Sequence, residues 1–388
     1  MAVKYGFGVI GTGGIFPQHA AALRVLRKRA RLIGLADLDS ARLRSATDKH
    51  FAPHAYDDHR QLLERGDIDV VSIATPPATH ERLVIDCLEA GKAVICEKPL
   101  AHTLESADRI IQAAGAYPGK LGVVYQARCM PEMRKIDWLR DNGWLGQLRF
   151  GHWVRLSRFD EAVEGGTGWW GRWETSGGGV VMTKFIHELD QMIHLFGKPV
   201  EVSARMDTLQ QQIESEDTFT AMVRFAGGAI VSCSATINAQ HLSSTFDVLG
   251  EKASVHYPWK VTSRDDEQLR RINQALDEAF GAAPKPAPRS LPGRVASKTA
   301  RVLGRGRRRA TSSSVLHALH FAACLEAIES DSPMPVTPQD ARRSLDLCMG
   351  IYQSALSGQA MRLPLDASSP VYGGITAETY RQRKVVTV

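Results

Sequence analysis

Tyr5-Gly6-Phe7-Gly8-Val9-Ile10-Gly11-Thr12-Gly13-Gly14-Ile15-Phe16 decides the fold. A short apolar run with β-forming residues ends on glycines, and an amphipathic helix pattern follows from Gln18 to Arg29. Where a strand ends in this way and opens a helix, Gly11 permits the tight turn and Gly13 lets backbone approach a pyrophosphate. The helix N-terminus offers free N–H groups and a positive dipole end to the anion. Phe16 stands where a third Gly or Ala is usual, so the fingerprint over Gly11, Thr12, Gly13, Gly14, Ile15 and Phe16 is incomplete. The next strand ends at Asp37, roughly 20 residues on, where an acid accepts hydrogen bonds from ribose hydroxyls and repels a 2′-phosphate. The two signals together imply a bound dinucleotide, NAD by preference, with NADP possible.

The pattern continues outward from that stretch. Strand-like runs at Tyr5 to Ile10, Arg31 to Ala36, Ile68 to Ala74, Ala93 to Cys96 and Leu121 to Tyr125 alternate with helix patterns at Ser40 to Lys49, Asp58 to Arg65, His80 to Ala90 and Leu104 to Ala114. Such alternation means βαβ crossovers and a doubly wound parallel sheet, here a Rossmann domain over residues 1–127. Beyond Pro131 comes a helix to about Asn142, a strand near Gln147 to Leu156, and one helix from about Gly179 to Phe196. Five strand-like runs then follow between Val200 and Tyr257 without helices among them. Consecutive strands joined by glycine turns imply a largely antiparallel open sheet with helices on one face. This second, α+β domain spans 128–370, with a basic Pro/Gly-rich insertion at about 258–312 and a C-terminal tail over 371–388. After the insertion, Ser314 to Glu329 and Pro338 to Leu356 read as helices, the second with Thr337 as N-cap and Pro338 at N1.

A chain of 388 residues exceeds one ordinary core, which stops growing near ~250 to 300 residues, and suits two. No apolar run approaches the ~20 residues of a membrane helix, and the N-terminus lacks a signal-peptide pattern, so a soluble cytoplasmic protein is expected. The six cysteines are scattered with neither C-x-x-C nor zinc spacing, which implies reduced thiols and no metal centre. The net charge of +6 is local: nine Lys or Arg and no acid lie between Pro284 and Arg309, leaving the remainder at −3. Nothing aromatic interleaves those arginines, so nucleic acid is an unlikely partner and the segment reads as a solvated arm.

Two further strand ends carry chemistry-bearing turns: Thr75-Pro76-Pro77-Ala78-Thr79-His80 and Cys96-Glu97-Lys98-Pro99-Leu100. With them the sequence resembles the Gfo/Idh/MocA family, named for glucose-fructose oxidoreductase and inositol dehydrogenase. The resemblance covers roughly residues 3 to 257 and 314 to 365. It implies that the Thr75-Pro76-Pro77 turn borders the nicotinamide, with His80 and Glu97 nearby, and that Lys98 sits between cofactor and substrate. Strand carboxyl ends line the ligand crevice of such a sheet, and a lysine there can polarise a hydroxyl or carbonyl as its proton moves.

A third block, Ser176-Gly177-Gly178-Gly179 through Gly197, places Thr183, His187, Asp190 and His194 at i, i+4, i+7 and i+11, on one face of a helix. In the family an Asp-x-x-x-His-x-x-Asp pattern here supplies catalytic and substrate-binding groups. Thr183 replaces the first acid, while His187 and Asp190 match. Arg128 and Pro131 match the family's Arg-x-x-Pro step between domains, with Arg128 facing substrate. Trp170 and Arg172, in the loop before the helix, offer a stacking face and a hydroxyl or phosphate partner, although burial at a subunit interface is an equal reading. The resemblance implies an NAD(P)-dependent dehydrogenase or reductase acting on a sugar, nucleotide-sugar or cyclitol, with Lys98 and His187 as acid/base pair in interchangeable roles. It also implies a homodimer or homotetramer. A redox-neutral, NAD-dependent glycosidase-like enzyme and a non-catalytic dinucleotide sensor are the alternatives.

Overall fold

The computed structural model describes residues 4–158, 168–281 and 313–382. Residues 284–309, the basic arm of the sequence, fall outside these. The N-terminal unit is a six-stranded parallel sheet of β1 (Tyr5–Ile10), β2 (Ala30–Ala36), β3 (His54–Tyr56), β4 (Val70–Ile73), β5 (Ala93–Cys96) and β6 (Leu121–Val123) in the order β3-β2-β1-β4-β5-β6. Its strand order reverses between β1 and β4, which opens a crevice at their carboxyl ends. The crossovers are α1 (Phe16–Val25), α2 (Ser40–His50), α3 (His59–Leu63), α4 (His80–Glu89) and α5 (Leu104–Ala114). β4 and β5 are buried at every position, as a parallel sheet covered on both faces requires.

Helix α6 (Pro131–Asp141) leads into β7 (Leu148–Arg158), after which α7 (Trp173–Ser176) and α8 (Ile186–Phe196) precede β8 (Pro199–Asp207), β9 (Thr218–Phe225), β10 (Ile230–Thr236), β11 (Asn238–Gly250), β12 (Ser254–His256) and β13 (Lys260–Thr262). Then come α9 (Asp266–Phe280), α10 (Ser313–Ser330), α11 (Pro338–Ser357), β14 (Met361–Arg362) and α12 (Ala377–Arg381). The second sheet runs β13-β12-β11-β7-β10-β9-β8-β14 and is antiparallel except where β10 pairs with β7. Along β9, Phe219, Ala221, Val223 and Phe225 are buried under α8 and α11, and Thr220, Met222 and Arg224 point the other way. Thr337 caps α11 as the sequence implies, in a full capping box with Asp340.

Two boundaries differ from the sequence reading. The expected insertion at about 258–312 begins with ordered elements: β13 extends the sheet, and Asp265 caps α9, which buries Ile272 and Leu276 one turn apart. The expected tail from 371 is anchored, since Val371, Ile375 and Tyr380 are buried and the Tyr380 hydroxyl lies 2.9 Å from that of Thr208.

Candidate active site

At the β1 carboxyl end, Gly11 takes φ +95°, and a Cβ there would sit 2.6 Å from the Ala74 carbonyl oxygen. Only glycine fits that turn. Around Gly13 and Gly14 the space is open, with no atom within 4 Å of a built Cβ. Phe16 N and Gln18 N are already bonded to Gly13 O and Ile15 O and Pro17 has no N–H, so the amides the turn offers an anion are those of Gly13, Gly14 and Ile15 ahead of α1. Phe16 does not obstruct this loop. Its ring is buried in the core and meets the edge of His50, which is why the third glycine is dispensable. Beside the loop, Thr12, Phe16, Arg42, Ser45, Lys49 and His50 line a cleft suited to the adenosine end.

Asp37 lies at that cleft. Its Oδ2 accepts from both the amide and the hydroxyl of Thr12, each at 2.7 Å, and its Oδ1 accepts from Asp39 N at 2.9 Å. Thr12 therefore ties the glycine loop to the β2 end rather than presenting its own amide outward. Open space over the glycines, the turn amides ahead of α1 and the aspartate together fit a dinucleotide.

The two turns at the β4 and β5 ends are stapled by His80. Its ring nitrogens lie 2.9 Å from Pro99 O and 3.0 Å from Thr75 O, and the side chain is completely buried. His80 thus holds the Thr75-Pro76-Pro77 turn against the Lys98 turn and does not itself face the crevice. Pro77 is buried, while Thr75 and Pro76 are partly exposed at the lip, with Thr79 donating to the Thr75 hydroxyl at 2.7 Å.

Glu97 points back into the fold. Its Oε1 is 2.8 Å from His19 Nε2 and 3.4 Å from His317 Nε2, and Oε2 receives the Lys98 amide. Burial alone would raise this carboxyl, but the two histidines hold it well below the usual range. Ser72 meets the other nitrogen of His19 at 2.8 Å. The 2.8 Å contact between His19 and Glu97 is a hydrogen bond. Glu97 is a buried brace behind Lys98, bonded to His19 and to the Lys98 amide.

Lys98 itself reaches across to the second domain, where its Nζ donates to the Thr183 carbonyl at 2.8 Å. Burial brings its pKa down to about 8, with Lys184 and Arg155 adding to the fall and Glu97 opposing it. Thr183 lies in a feature the sequence did not announce. Residues Val181–Phe185 form a π-helical turn between the glycines and α8, a distortion that recurs at functional sites. It breaks the simple i, i+4, i+7, i+11 stripe. The Thr183 hydroxyl turns back to Gly179 O at 2.6 Å, and His194 pairs with Asp137 at 2.8 Å on the far side.

His187 is partly buried, with its ring edge-on to Tyr125 at 5.8 Å, and its Nδ1 has no hydrogen-bond partner among the described residues. Burial first, then the charges of Lys98 and Arg155, push its pKa well below 6.5. The charge of Glu97 opposes the fall only in part, and Thr183 stands where an acid would add to it. Asp190 is fully buried, and its two oxygens accept from Arg128 Nε and Nη2, both at 2.7 Å, with Ser344 on Oδ1 at 3.2 Å. It serves by aiming Arg128, which stays partly exposed. Trp170 is buried beneath the ammonium of Lys184 at 5.8 Å, Arg172 is exposed, and Trp173 is a core residue packed on Tyr352 and Tyr380. Sequence reasoning passed over His19, His317, Glu216 and Tyr352, polar residues buried on apolar faces. The only signal was their placement where a hydrophobic side chain is expected.

The first 121-residue stretch, 5–125, matches the model of an oxidoreductase family with an NAD-binding Rossmann fold, and residues 133–256 match the Gfo/Idh/MocA C-terminal domain. The chain belongs to the Gfo/Idh/MocA oxidoreductase family. Its N-terminal sheet is accordingly an NAD-binding Rossmann domain. Relatives within the family include the myo-inositol 2-dehydrogenase of Thermotoga maritima, 29% identical over 58% of this chain and 66% of that one. The NADP-dependent D-xylose 1-dehydrogenase of Haloarcula marismortui is 30% identical over 58% of this chain and 64% of that protein. The chain thus spans slightly under two thirds of these relatives' own length. Among solved structures, the WlbA dehydrogenase of Chromobacterium violaceum, in complex with NADH and UDP-GlcNAcA, aligns at TM-score 0.77 with 26% identity, covering 94% of this chain and 98% of that one. No helix among the described residues is long and apolar enough to cross a membrane.

Proposed function

We propose that this chain is an NAD-dependent dehydrogenase or reductase that moves a hydride to or from the carbinol or ketone carbon of a sugar, nucleotide-sugar or cyclitol, with NADP as a possible second cofactor. The observation that carries the reading is Lys98 just past β5 bonded to Thr183 ahead of α8, Arg128 just past β6 bonded to Asp190 of α8, and His187 of the same helix against Tyr125, with open space over Gly13 and Gly14 at the end of β1. NAD, when bound, supplies the acceptor or donor of the hydride. The related inositol, xylose and nucleotide-sugar dehydrogenases support the substrate class.

Of the two assignments open for the proton, the pKa directions favour Lys98 as the group that moves it. With a pKa of about 8 it exchanges a proton near neutral pH, the optimum for general acid/base work. His187, held neutral, hydrogen-bonds the reacting oxygen and keeps it oriented. Arg128, aimed by Asp190, meets a more distant hydroxyl or carboxylate, and Trp170 and Arg172 border the substrate entrance. We further propose a cytoplasmic homodimer or homotetramer built on the solvent face of the second sheet, where Phe150 (40% exposed) and Met222 (55% exposed) share one face, two residues apart in register across β10. Light scattering that returns a monomer mass removes that part.

The test is binding followed by turnover. NAD⁺ and NADH are expected to raise the melting temperature, and one polyol class to raise it further. A chain that carries and releases no dinucleotide, and is shifted by none, would contradict the proposal.

A further inference from the structure

We infer that Glu216, together with Tyr352, is a positioning residue for the reaction: from the loop before β9 and from helix α11 they cap the start of the catalytic helix and so hold the Thr183 carbonyl against Lys98. The inference rests on the proposed role of Lys98. A helix begins with four N–H groups that have no partner within it. Here they belong to Gly179, Val180, Val181 and Met182, since Thr183 N makes the first intrahelical bond, to Gly179 O at 3.0 Å. No neighbouring side chain caps them.

Glu216 and Tyr352 take all four. Glu216 Oε2 accepts from Gly179 N at 3.0 Å, its main-chain oxygen from Val180 N at 3.1 Å, and its Oε1 from Val181 N at 2.9 Å. The Tyr352 hydroxyl accepts from Met182 N at 3.2 Å and donates to Glu216 Oε1 at 2.9 Å. Glu216, Tyr352 and the intervening glycines are shielded from solvent. The glycine run exists to admit this pair. A Cβ on Gly178 would stand 2.0 Å from the Tyr352 hydroxyl, and one on Gly179 would stand 1.9 Å from Glu216 O.

The next residue along is Thr183, whose carbonyl receives Lys98 Nζ. The chain of contact from the loop before β9 to the catalytic amine is therefore Glu216, the helix start, Thr183 and Lys98. A carboxylate aimed at a helix N-terminus is favoured by the dipole, although burial lifts Glu216 to about 7. The ionisable neighbours of Glu216 are Tyr352 and Cys348, both on α11. Those of Lys98 are Glu97, Lys184, Arg155, Glu188 and His187. None of these is altered by substituting Glu216.

In Glu216→Gln, one oxygen becomes an NH2 that confronts an N–H donor of the turn, so the helix start loosens and water reaches Lys98. The experiment is pulse acylation of the full chain with acetic anhydride across pH, with Lys98 followed by peptide mass spectrometry. Wild type is expected to show a reactivity midpoint near pH 8. E216Q is expected to move it upward by at least about one unit, toward free lysine. Tyr352→Phe removes only the hydroxyl and is expected to move it in the same direction by less. An unchanged midpoint in an E216Q protein that unfolds cooperatively at the wild-type temperature would overturn the inference. Should E216Q not fold, an unchanged midpoint in Y352F overturns it equally. Turnover of Lys98→Met measured alongside separates the two claims: if it persists, the acid/base role of Lys98 fails, whereas the shifted midpoint tests the cap alone.

Discussion

Replacing Lys98 by Met should make the protein more stable at neutral pH while stopping its chemistry. Burial lowers the Lys98 ammonium from the ordinary 10.5 to about 8. At 1.36 kcal/mol per unit, keeping it charged in the fold costs about 3 kcal/mol at pH 7. Methionine is one atom shorter, unbranched and uncharged. It gives up the charge-assisted hydrogen bond to Thr183 O, about 2 kcal/mol, so the net gain is about 1 kcal/mol. The folded pKa lies below the unfolded one, so between pH 8 and 10.5 the unfolded chain holds more protons and wild-type stability rises with pH. The advantage of Lys98→Met is therefore full below pH 8 and fades toward pH 10.5. Urea unfolding of both proteins at pH 7 and pH 10 measures this directly. A Met variant no more stable than wild type at pH 7, or a difference that does not shrink with pH, would refute the reasoning.

The same structure fixes other outcomes. Gly13→Ala places its methyl in open space and should leave the unfolding midpoint unchanged, yet weaken NAD by at least about tenfold in calorimetric titration, because that space is where the pyrophosphate approaches. Asp190→Ala leaves the Arg128 guanidinium buried without its partner and should destabilise by about 3 to 5 kcal/mol in urea. His187→Ala should lower kcat by about 10²- to 10⁴-fold with NAD affinity retained, as measured by steady-state kinetics and titration. For alcohol oxidation, kcat/KM should climb as pH rises through about 8, because neutral Lys98 is the base, and the reductive direction should fall over the same range.

Much of this was legible in the residues because hydrophobic period fixes elements that are long or doubly covered. Strands β1 and β5 and helix α5 match the sequence reading to the residue. The three-residue strand β3 escaped it, since His54-Ala55-Tyr56 has neither length nor an apolar run. Helix α9 carried a readable signal, an Asp265 cap with Ile272 and Leu276 at i and i+4, that the surrounding Pro and Arg content masked. The π-turn left no trace in composition, and with it went the true direction of Thr183. Lys98 and His187 were picked out as candidates by their motifs. That Glu97 and His80 brace the site from behind was not readable, because a strand-end residue's facing depends on which helix packs against it.

The measurement that bears most directly on the central claim is NADH formation from NAD⁺ by the purified full chain over a panel of cyclitols, aldoses and nucleotide-sugars, run side by side with Lys98→Met. The account predicts that one class is oxidised and that the Met variant, still folded and still binding NAD, loses at least about 10²-fold of that rate. A chain that binds NAD yet turns over no class on the panel in either direction, or a Met variant that keeps wild-type turnover, would contradict it.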